Sequence, residues 1–330
     1  MTTPGATGDK NSASRPPQDI ASPHGQAPIR LAHLAQALRL PFTTASVLPY
    51  VTGALLAPEP KRMQLFILGL IAVAGTHLSA NVFNDYADAR SGVDAINPTY
   101  FGFFGGSKLV QQGILPARFF FVASLVLAAV SAGAALIAAF MLGRPALFLL
   151  FVLVWTAGWA YSNPPAALVY HGLGELTIFL LFGLATACGG HILQTGKLGW
   201  DAVLVGLPHG FLVAGILIAN EVPDAPEDRQ AGKNTLVVRI GAERGYLLYA
   251  LATMLAAAAI GAAVARAILP AAGLAAIPAA VIPAAAAVLI LRSAPFDKFK
   301  LVKASKLAIA AHVAASLAMI MALLFGKGTP

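Results

Sequence analysis

The sequence predicts an all-α polytopic membrane protein: a bundle of about nine transmembrane helices around a central cavity capped by cytoplasmic loops. Three observations lead to this fold class. Of the 330 residues, 58% are hydrophobic and 11% are charged, and the mean hydropathy is +0.75, as in chains that cross a membrane repeatedly. Apolar stretches of about 20 residues, the length that spans the hydrocarbon core, recur along the chain. Finally, eight of the 14 acidic residues lie in or just beyond two short stretches, each at the end of an apolar segment.

Nine segments are predicted to cross the membrane. In chain order they are 33–57, 62–84, 117–141, 145–161, 174–194, 202–222, 245–268, 270–293 and 304–325. The first contains Pro41 and Pro49, the fourth is short, and the eighth contains three prolines. Membrane helices tolerate proline where neighbouring helices satisfy the freed carbonyl groups.

The N-terminal residues 1–28 differ in composition from the rest of the chain. They are rich in Pro, Ser, Gly, Gln and Thr and contain no apolar run, so they are predicted to form a disordered tail without a signal peptide. Residues 29–330 are predicted to form one membrane domain. Cys188 is the single cysteine, which excludes an intrachain disulfide and a cysteine-based metal cage.

The basic residues orient the predicted helices. With nine spans, 16 of the 22 Lys and Arg residues fall on the side that also carries the N-terminus and both acidic stretches, and six fall on the other side. The positive-inside rule therefore predicts that the acidic stretches face the cytoplasm, in a protein of the bacterial inner (plasma) membrane. The net charge of +8 reflects this orientation and an affinity for phosphate, because no soluble basic domain is available to bind nucleic acid.

The two acidic stretches predict a cation site at the membrane surface. Their acidic residues are Asp85, Asp88 and Asp94 in the first, and Glu221, Asp224, Glu227 and Asp228 in the second. Carboxylates crowded at the end of a membrane helix repel one another and are costly to desolvate, so they usually have a cationic partner. Their hard oxygen atoms suit Mg²⁺, which binds a few carboxylates together with substrate phosphates. The chemistry indicated is that of a metal-bound diphosphate.

Helical periodicity places the polar side chains of each stretch on one face. The first face consists of His77, Asn81, Asn84 with Asp85, and Asp88, and the second of Asn220, Asp224 and Asp228 if the two intervening prolines leave the backbone near-helical. Polar stripes inside a membrane face the bundle interior, so both are predicted to converge on one cavity. Lys108, Arg229 and Lys233 lie close in sequence and would bind the diphosphate oxygens that Mg²⁺ leaves exposed.

These motifs resemble the UbiA superfamily of intramembrane prenyltransferases along most of residues 30–325. The resemblance is carried by N-D-x-x-D at 84–88 and by D-x-x-x-D-x-x-x-G-K-x-T-L at 224–236 in combination, and Arg39-Leu-Pro-Phe-Thr is similar to the first helix of that superfamily. Tyr161-Ser-Asn-Pro-Pro, Tyr-His-Gly-Leu-Gly-Glu175 and Gly-Gly-Ser-Lys108 are similar to the 1,4-dihydroxy-2-naphthoate polyprenyltransferase branch, which serves menaquinone biosynthesis.

The resemblance implies a Mg²⁺-dependent transfer of a polyprenyl group from an allylic polyprenyl diphosphate donor to an aromatic acceptor. It implies that Mg²⁺ is held by the catalytic residues Asp85, Asp88, Asp224 and Asp228. The substrate-binding residues it implies are Asn81, Asn84, Lys108, Asn220, Arg229, Lys233 and Arg39. Ionisation of the donor would leave an allylic cation that the electron-rich acceptor ring attacks. The bundle would contact membrane lipid, and no obligate protein partner is expected.

Two departures from the pattern leave the acceptor open. Glu221 and Pro223 stand where the naphthoate branch often has Asn and Arg, and Phe104 stands where many relatives have Tyr. The alternatives to 1,4-dihydroxy-2-naphthoate are 4-hydroxybenzoate, a chlorophyllide, haem and a glyceryl phosphate. A transporter of an anionic lipid precursor fits less well, since transporters concentrate isolated charges near mid-membrane. The prenyl length and the oligomeric state stay open, as do the roles of Asp94, His77 and Glu175.

Overall fold

A computed structural model describes residues 30–58, 61–92, 99–163 and 165–326. These residues form helices joined by turns, with no strand among them. The helices are α1 (Leu31–Leu38), α2 (Thr44–Leu55), α3 (Met63–Ser91), α4 (Ala117–Met141), α5 (Ala146–Ala160), α6 (Gly174–Ile178), α7 (Thr186–Thr195), α8 (Trp200–Gln230), α9 (Leu236–Ile240), α10 (Gly245–Ala265), α11 (Ala276–Ser293) and α12 (Lys298–Phe325). A π-helical segment, Phe179–Ala185, joins α6 to α7. The predicted tail at 1–28 and Asp94 lie outside the described residues.

The all-α membrane fold predicted from the sequence is confirmed. Within the described parts of the chain, seven helical segments are long and apolar enough to cross a membrane: Met63–Arg90, Ala117–Met141, Gly174–Thr195, Trp200–Gln230, Ala242–Ala265, Ala271–Ser293 and Lys298–Phe325. The other two predicted spans are shorter helices: α5 has 15 residues, and the first span is divided into α1 and α2. The count of nine therefore stays a prediction.

The first predicted span is divided because the backbone at Arg39 adopts the left-handed conformation. This residue has φ 49° and ψ 46°, in the left-handed region, where it ends α1. A 3-10 segment, Leu40–Thr43, follows with Pro41 near its start, and only then does α2 begin. Proline disfavours the α conformation in the residue before it, so a continuous helix through this point is unfavourable. The break turns the Arg39 side chain towards α3.

Helix α8 is the central element of the bundle. Of the candidate spans among the described residues it is the most buried, with 72% of its apolar 18-residue stretch inside the protein. It packs against α10, α12 and the π-helical segment. At the last of these crossings, a Cβ atom on Gly183 would overlap the backbone of Gly210, so only glycine allows the two backbones to lie so close. This packing fixes the polar C-terminal half of α8 against the other helices.

Candidate active site

The ends of α3 and α8 enclose one side of a cavity of about 270 Å³. Loops after α3 and after α5, the break before α2 and the first residue of α12 complete its wall. The charged and amide side chains among its lining residues are Arg39, Asn81, Asn84, Asp88, Lys108, Asn220, Glu221, Asp224, Glu227, Asp228, Lys233 and Lys298. Both polar stripes predicted from helical periodicity therefore line a single cavity.

The α8 stripe continues through two prolines without a break in the helix. Pro223 and Pro226 lie inside α8, which ends only at Gln230. Asn220, Asp224 and Asp228 consequently keep their spacing of four residues and project from one face. The condition attached to this prediction, a near-helical backbone through the prolines, is met.

The cavity changes from charged to apolar along α8. Asp228 lies at its charged end, whereas Val213, Ile216 and Leu217 line it deeper in the bundle. With a rise of 1.5 Å per residue, Val213 and Asp228 are separated by about 22 Å along the helix axis. Phe182, on the π-helical segment, adds an aromatic side chain to the deeper part. The cavity thus suits a molecule with an anionic head and an apolar tail.

The turn that ends α8 places Lys233 next to both acidic motifs. The amide of Lys233 donates to the carbonyl of Asp228 and the amide of Gly232 donates to that of Arg229, the two hydrogen bonds of a Schellman motif. Gly232 has φ 74°, a conformation that glycine adopts at low cost. This turn brings Lys233 Nζ to 3.6 Å from Asp228 Oδ1 and 4.0 Å from Asp88 Oδ1.

The ammonium group of Lys233 therefore interacts with one carboxylate from each acidic motif. Burial disfavours its charged form, but the carboxylates of Asp88 and Asp228 outweigh this effect and raise the pKa of Lys233 above its ordinary value. The ammonium group is accordingly charged at neutral pH. The carboxylates of Asp88 on α3 and Asp228 on α8 together favour a positive charge at this position.

A glycine-rich turn ties the two motifs together through its backbone. The amide of Gly105 donates to Asp224 Oδ2 at 3.0 Å, and the amide of Ser107 donates to Asp85 Oδ2 at 3.2 Å. Gly105 has φ 72°, and the following residues reach Lys108, which has φ 58° and is buried at the cavity wall. The turn thus orients one aspartate from each stretch and places Lys108 at the cavity wall.

Asp85 has a different position from the other aspartates. It forms an ion pair with Arg39, accepts the Ser107 amide, and is 2% exposed. It is outside the set of described residues that line the cavity, whereas Asp88, three residues later, is within it. Asp85 precedes Asp88 by three residues, so the two side chains point about 60° apart around the helix, and that of Asp85 contacts Arg39 at the end of α1. The structure thus pairs Asp85 with Arg39, and its predicted role as a direct metal ligand stays a prediction.

Arg229, another predicted substrate-binding residue, contacts the backbone of α9. Its Nη2 donates to the carbonyl of Val238 at 2.9 Å, which fastens the end of α8 to α9. It follows Asp228 directly, so it projects about 100° away from the cavity-facing stripe. Arg229 is not among the described residues that line the cavity, and its predicted role in substrate binding stays a prediction.

Lys298 is a site residue that the sequence reasoning missed. It begins α12, lines the cavity and forms an ion pair of 2.5 Å with Glu227. Its Nζ also lies 5.7 Å from the centre of the Phe101 ring. In the sequence it is one of several lysines in a loop far from both motifs, and only the packing of α12 against α8 brings it to the cavity.

His77 lies at the inner end of the α3 stripe. It lines the cavity, its Nδ1 is 2.9 Å from Ser46 Oγ, and its ring meets the Phe182 ring edge-on at 4.8 Å. These contacts fix the ring between α2 and the π-helical segment.

The donor set fits Mg²⁺ in the manner usual for phosphate-binding sites. Among the described residues, no three His, Cys, Asp or Glu side chains are grouped closely enough to hold an ion by themselves. Mg²⁺ is usually bound by one or two carboxylates together with substrate phosphates and water. Asp88 and Asp228, which face each other across Lys233, supply such a pair. Asn220 adds a buried Oδ1 that has no hydrogen-bond partner in the described structure.

Comparison with known proteins gives consistent sequence and fold matches. Residues 46–307 match the UbiA prenyltransferase family. Similar curated proteins include the 1,4-dihydroxy-2-naphthoate octaprenyltransferase of Mycobacterium tuberculosis, 29% identical over 183 residues, which are 56% of this chain and 60% of that protein. The enzyme of the same name from Bacillus subtilis is 26% identical over 203 residues, 60% of this chain and 62% of that protein. The chain thus spans about 60% of the length of these relatives.

Solved structures with the same fold extend over more of the chain. A UbiA homolog from Aeropyrum pernix superposes with a TM-score of 0.65 at 18% identity, covering 89% of this chain and 98% of that one. A UbiA homolog from Archaeoglobus fulgidus bound to GPP and Mg²⁺ superposes with a TM-score of 0.61 at 16% identity, covering 86% and 99%. At these identities the likeness establishes the fold.

Proposed function

Because this chain belongs to the UbiA prenyltransferase family, we propose that it transfers a polyprenyl group from an allylic polyprenyl diphosphate to an aromatic acceptor. The proposed acceptor is 1,4-dihydroxy-2-naphthoate, after the naphthoate prenyltransferases among the similar proteins. The reaction is proposed to depend on Mg²⁺, the ion present with GPP in the Archaeoglobus fulgidus homolog. The site would face the cytoplasm from the bacterial inner membrane, in keeping with the distribution of basic residues.

The observation that carries this proposal is the pairing of Asp88 and Asp228 around a shared positive charge. Carboxylates from two different helices lie on either side of Lys233 at the charged end of a cavity whose other end is apolar. A prenyl diphosphate has the same division, with an anionic head and a hydrocarbon tail. The direction of the cavity therefore matches the direction in which such a donor would lie.

The cations at the charged end are proposed to bind the diphosphate. Lys108, Lys233 and Lys298 line this end and come from three separate elements, so they approach an anion from different sides. Each is a compact charge with three donors, which suits phosphate oxygens. Arg39 lines the wall beside them and is held by Asp85. The lysines would stabilise the charge that develops on the leaving group.

Asp88, Asp224 and Asp228 are the residues proposed to hold the metal ion. When bound, Mg²⁺ would neutralise the diphosphate and so assist its departure. The amide of Gly105 keeps Asp224 oriented before any ligand arrives. Aromatic side chains of Phe42, Phe103, Phe182 and Tyr161 line the same cavity, where they exclude water and present π-faces suited to a developing allylic cation.

Membranes that contain the protein provide the test. A labelled polyprenyl diphosphate is incubated with 1,4-dihydroxy-2-naphthoate, 4-hydroxybenzoate or a glyceryl phosphate, with Mg²⁺ or with EDTA. We expect prenylated naphthoate only, its loss in EDTA and its recovery on addition of Mg²⁺. Asp88→Asn and Asp228→Asn should each lose at least about 100-fold in kcat/KM, equivalent to about 2.7 kcal/mol.

Other results of the assay would change the proposed acceptor, the proposed site or the proposed reaction. Transfer to 4-hydroxybenzoate or a glyceryl phosphate instead would replace the proposed acceptor and leave the reaction class unchanged. Retention of most activity in Asp88→Asn or Asp228→Asn would contradict the two-motif site. Formation of no prenylated product with any acceptor, from wild-type protein that binds the donor, would contradict the transfer reaction itself.

A further inference from the structure

A buried carboxyl group lies deeper in the cavity than the aspartates of the charged end. Glu221 precedes Asp224 by one helical turn on α8, lines the cavity and is 5% exposed. Neither of its carboxyl oxygens meets a hydrogen-bond donor from the described residues. A buried polar group without partners costs free energy on folding. A donor from outside the chain would remove this cost.

A second buried carboxyl group lies close to that of Glu221. Glu175, at the start of α6, is 5% exposed and accepts the Leu236 amide with Oε1 at 2.8 Å. Its carboxyl group interacts directly with that of Glu221, yet Glu175 itself is outside the described cavity lining. Its anchored position leaves Glu221 as the member of the pair that faces a ligand.

The surroundings of Glu221 select against an anion. The charged groups that act most strongly on it are those of Glu175, Asp228 and Asp224, all acidic. The lysines that line the cavity interact instead with carboxylates nearer the charged end, as Lys233 does with Asp228 and Lys298 with Glu227. A phosphate or a carboxylate would be repelled here, whereas a neutral hydroxyl group would be attracted.

An aromatic side chain lies beside this carboxyl pair. Tyr161 lines the cavity and is close enough for its hydroxyl to interact with the charges of Glu221 and Glu175. Its ring offers a flat apolar surface against which a planar aromatic molecule can pack. The carboxyl oxygens and the ring together match a hydroxylated aromatic compound.

We propose that Glu221 accepts a hydrogen bond from a ring hydroxyl group of the aromatic acceptor, with Glu175 as the positioning residue behind it. This inference rests on the proposed function and makes it more specific. It predicts that an acceptor carboxylate points away from Glu221, because Asp224 and Asp228 add negative charge on that side of the cavity. A hydroxyl satisfies Glu221, whereas a methyl ether at the same ring position has no proton to donate.

The test combines one change in the ligand with one change in the protein. 1,4-Dihydroxy-2-naphthoate and its two mono-methyl ethers are compared as ligands of wild-type protein, Glu221→Gln and Glu221→Met, by equilibrium binding and by inhibition of transfer. In wild type, methylation of the recognised hydroxyl should weaken binding roughly 5- to 150-fold, because it leaves a buried carboxyl oxygen without a donor. In Glu221→Met this penalty should vanish, and in Glu221→Gln it should be intermediate.

Controls separate this role from metal binding and from folding. Glu221→Gln should leave the donor KM and the Mg²⁺ concentration for half-maximal activity unchanged. Glu175→Gln should reduce the methylation penalty without altering the donor KM. Glu243→Gln, which removes an exposed acid from the connection before α10, should behave as wild type in every arm. If Glu221→Met does not fold, Glu221→Gln alone decides the outcome.

Two results would overturn the inference. One is a methylation penalty that persists in full in the Glu221 variants. The other is a variant that changes the Mg²⁺ requirement or the donor KM instead, which would assign Glu221 to the metal site. Failure of the proposed function gives a different signature, because wild-type protein would then transfer to no hydroxylated aromatic acceptor, and both proposals would fall together.

Discussion

Replacement of Lys233 by methionine should destabilise the metal-free protein and make Mg²⁺ a stronger stabiliser. The ammonium group lies 3.6 Å from Asp228 Oδ1 and 4.0 Å from Asp88 Oδ1. At an effective dielectric constant of 20, each contact has a Coulomb energy of about 4 to 5 kcal/mol. Desolvation of the charges offsets part of this, and removal of one partner from a buried ion pair typically costs about 3–5 kcal/mol. We expect a loss in that range.

Magnesium should reverse the loss because it would replace the missing charge. In wild type, an ion at Asp88 and Asp228 must displace Lys233, whereas in Lys233→Met the position is available at once. A ligand that binds the native state stabilises it according to its concentration relative to Kd. The stabilisation by Mg²⁺ should therefore be larger in Lys233→Met than in wild type.

Unfolding of the detergent-solubilised protein in EDTA and in increasing Mg²⁺ measures both effects without reference to activity. Lys298→Met is the matched control: it also removes a cavity lysine, but one paired with Glu227 rather than with the two motifs. The raised pKa of Lys233 means that its contribution is complete at neutral pH and is lost only as the pH rises through that raised value. Equal stabilisation of wild type and Lys233→Met by Mg²⁺ would refute the assignment of Lys233 to the cation position.

The other predictions concern activity, stability and topology. Lys108→Ala should lower kcat/KM for the donor roughly 10- to 150-fold, part of it in kcat, while the acceptor KM stays constant, as steady-state kinetics will show. Gly105→Ala should lose about 1–2 kcal/mol of stability and misplace the amide that binds Asp224, because φ is 72° there, and unfolding measurements test this. On a Cys188→Ser background, cysteines in the loops after α3 and after α8 should react from the same side of the membrane; labelling from opposite sides would contradict the proposed orientation.

Helical periodicity was sufficient to predict the two polar stripes. Asn81 and Asp88 on α3, and Asn220, Asp224 and Asp228 on α8, all line the cavity. Residues three or four apart share a helix face, and in a membrane a polar face has to point inwards. These constraints are local, so the sequence contains them.

Periodicity could not resolve neighbours on the same stripe. Asp85 and Asp88 are both compatible with an inward face, and the choice between them depends on where Arg39 lies. That position follows from a left-handed residue at the end of α1, a feature for which only Pro41 gave a local signal. The partner of Asp85 comes from another segment of the chain, and the predicted role of Asp85 as a direct metal ligand stays a prediction.

Motif reasoning could not place residues from distant segments beside the two motifs. Lys298 lies 70 residues after Asp228, in a stretch without a chemical signature of its own, and Glu175, although it ends a recognised motif, lies 46 residues before Glu221. Arg229 lies within the second motif and yet contacts Val238, because a step of one residue along a helix rotates the side chain by about 100° from that of Asp228. Tertiary packing determines all three positions.

The glycine-rich turn explains how two motifs on separate helices act as one site. A carboxylate at a helix end has several rotamers, and fixing it costs side-chain entropy. The amides of Gly105 and Ser107 orient Asp224 and Asp85 before a substrate arrives, and they belong to one short segment, so the two carboxylates are fixed relative to each other. Lys108 follows in the same turn and lines the cavity. Displacement of this segment would therefore disturb both motifs and the lysine proposed to bind the diphosphate at once, so a single backbone change here would affect three site residues together.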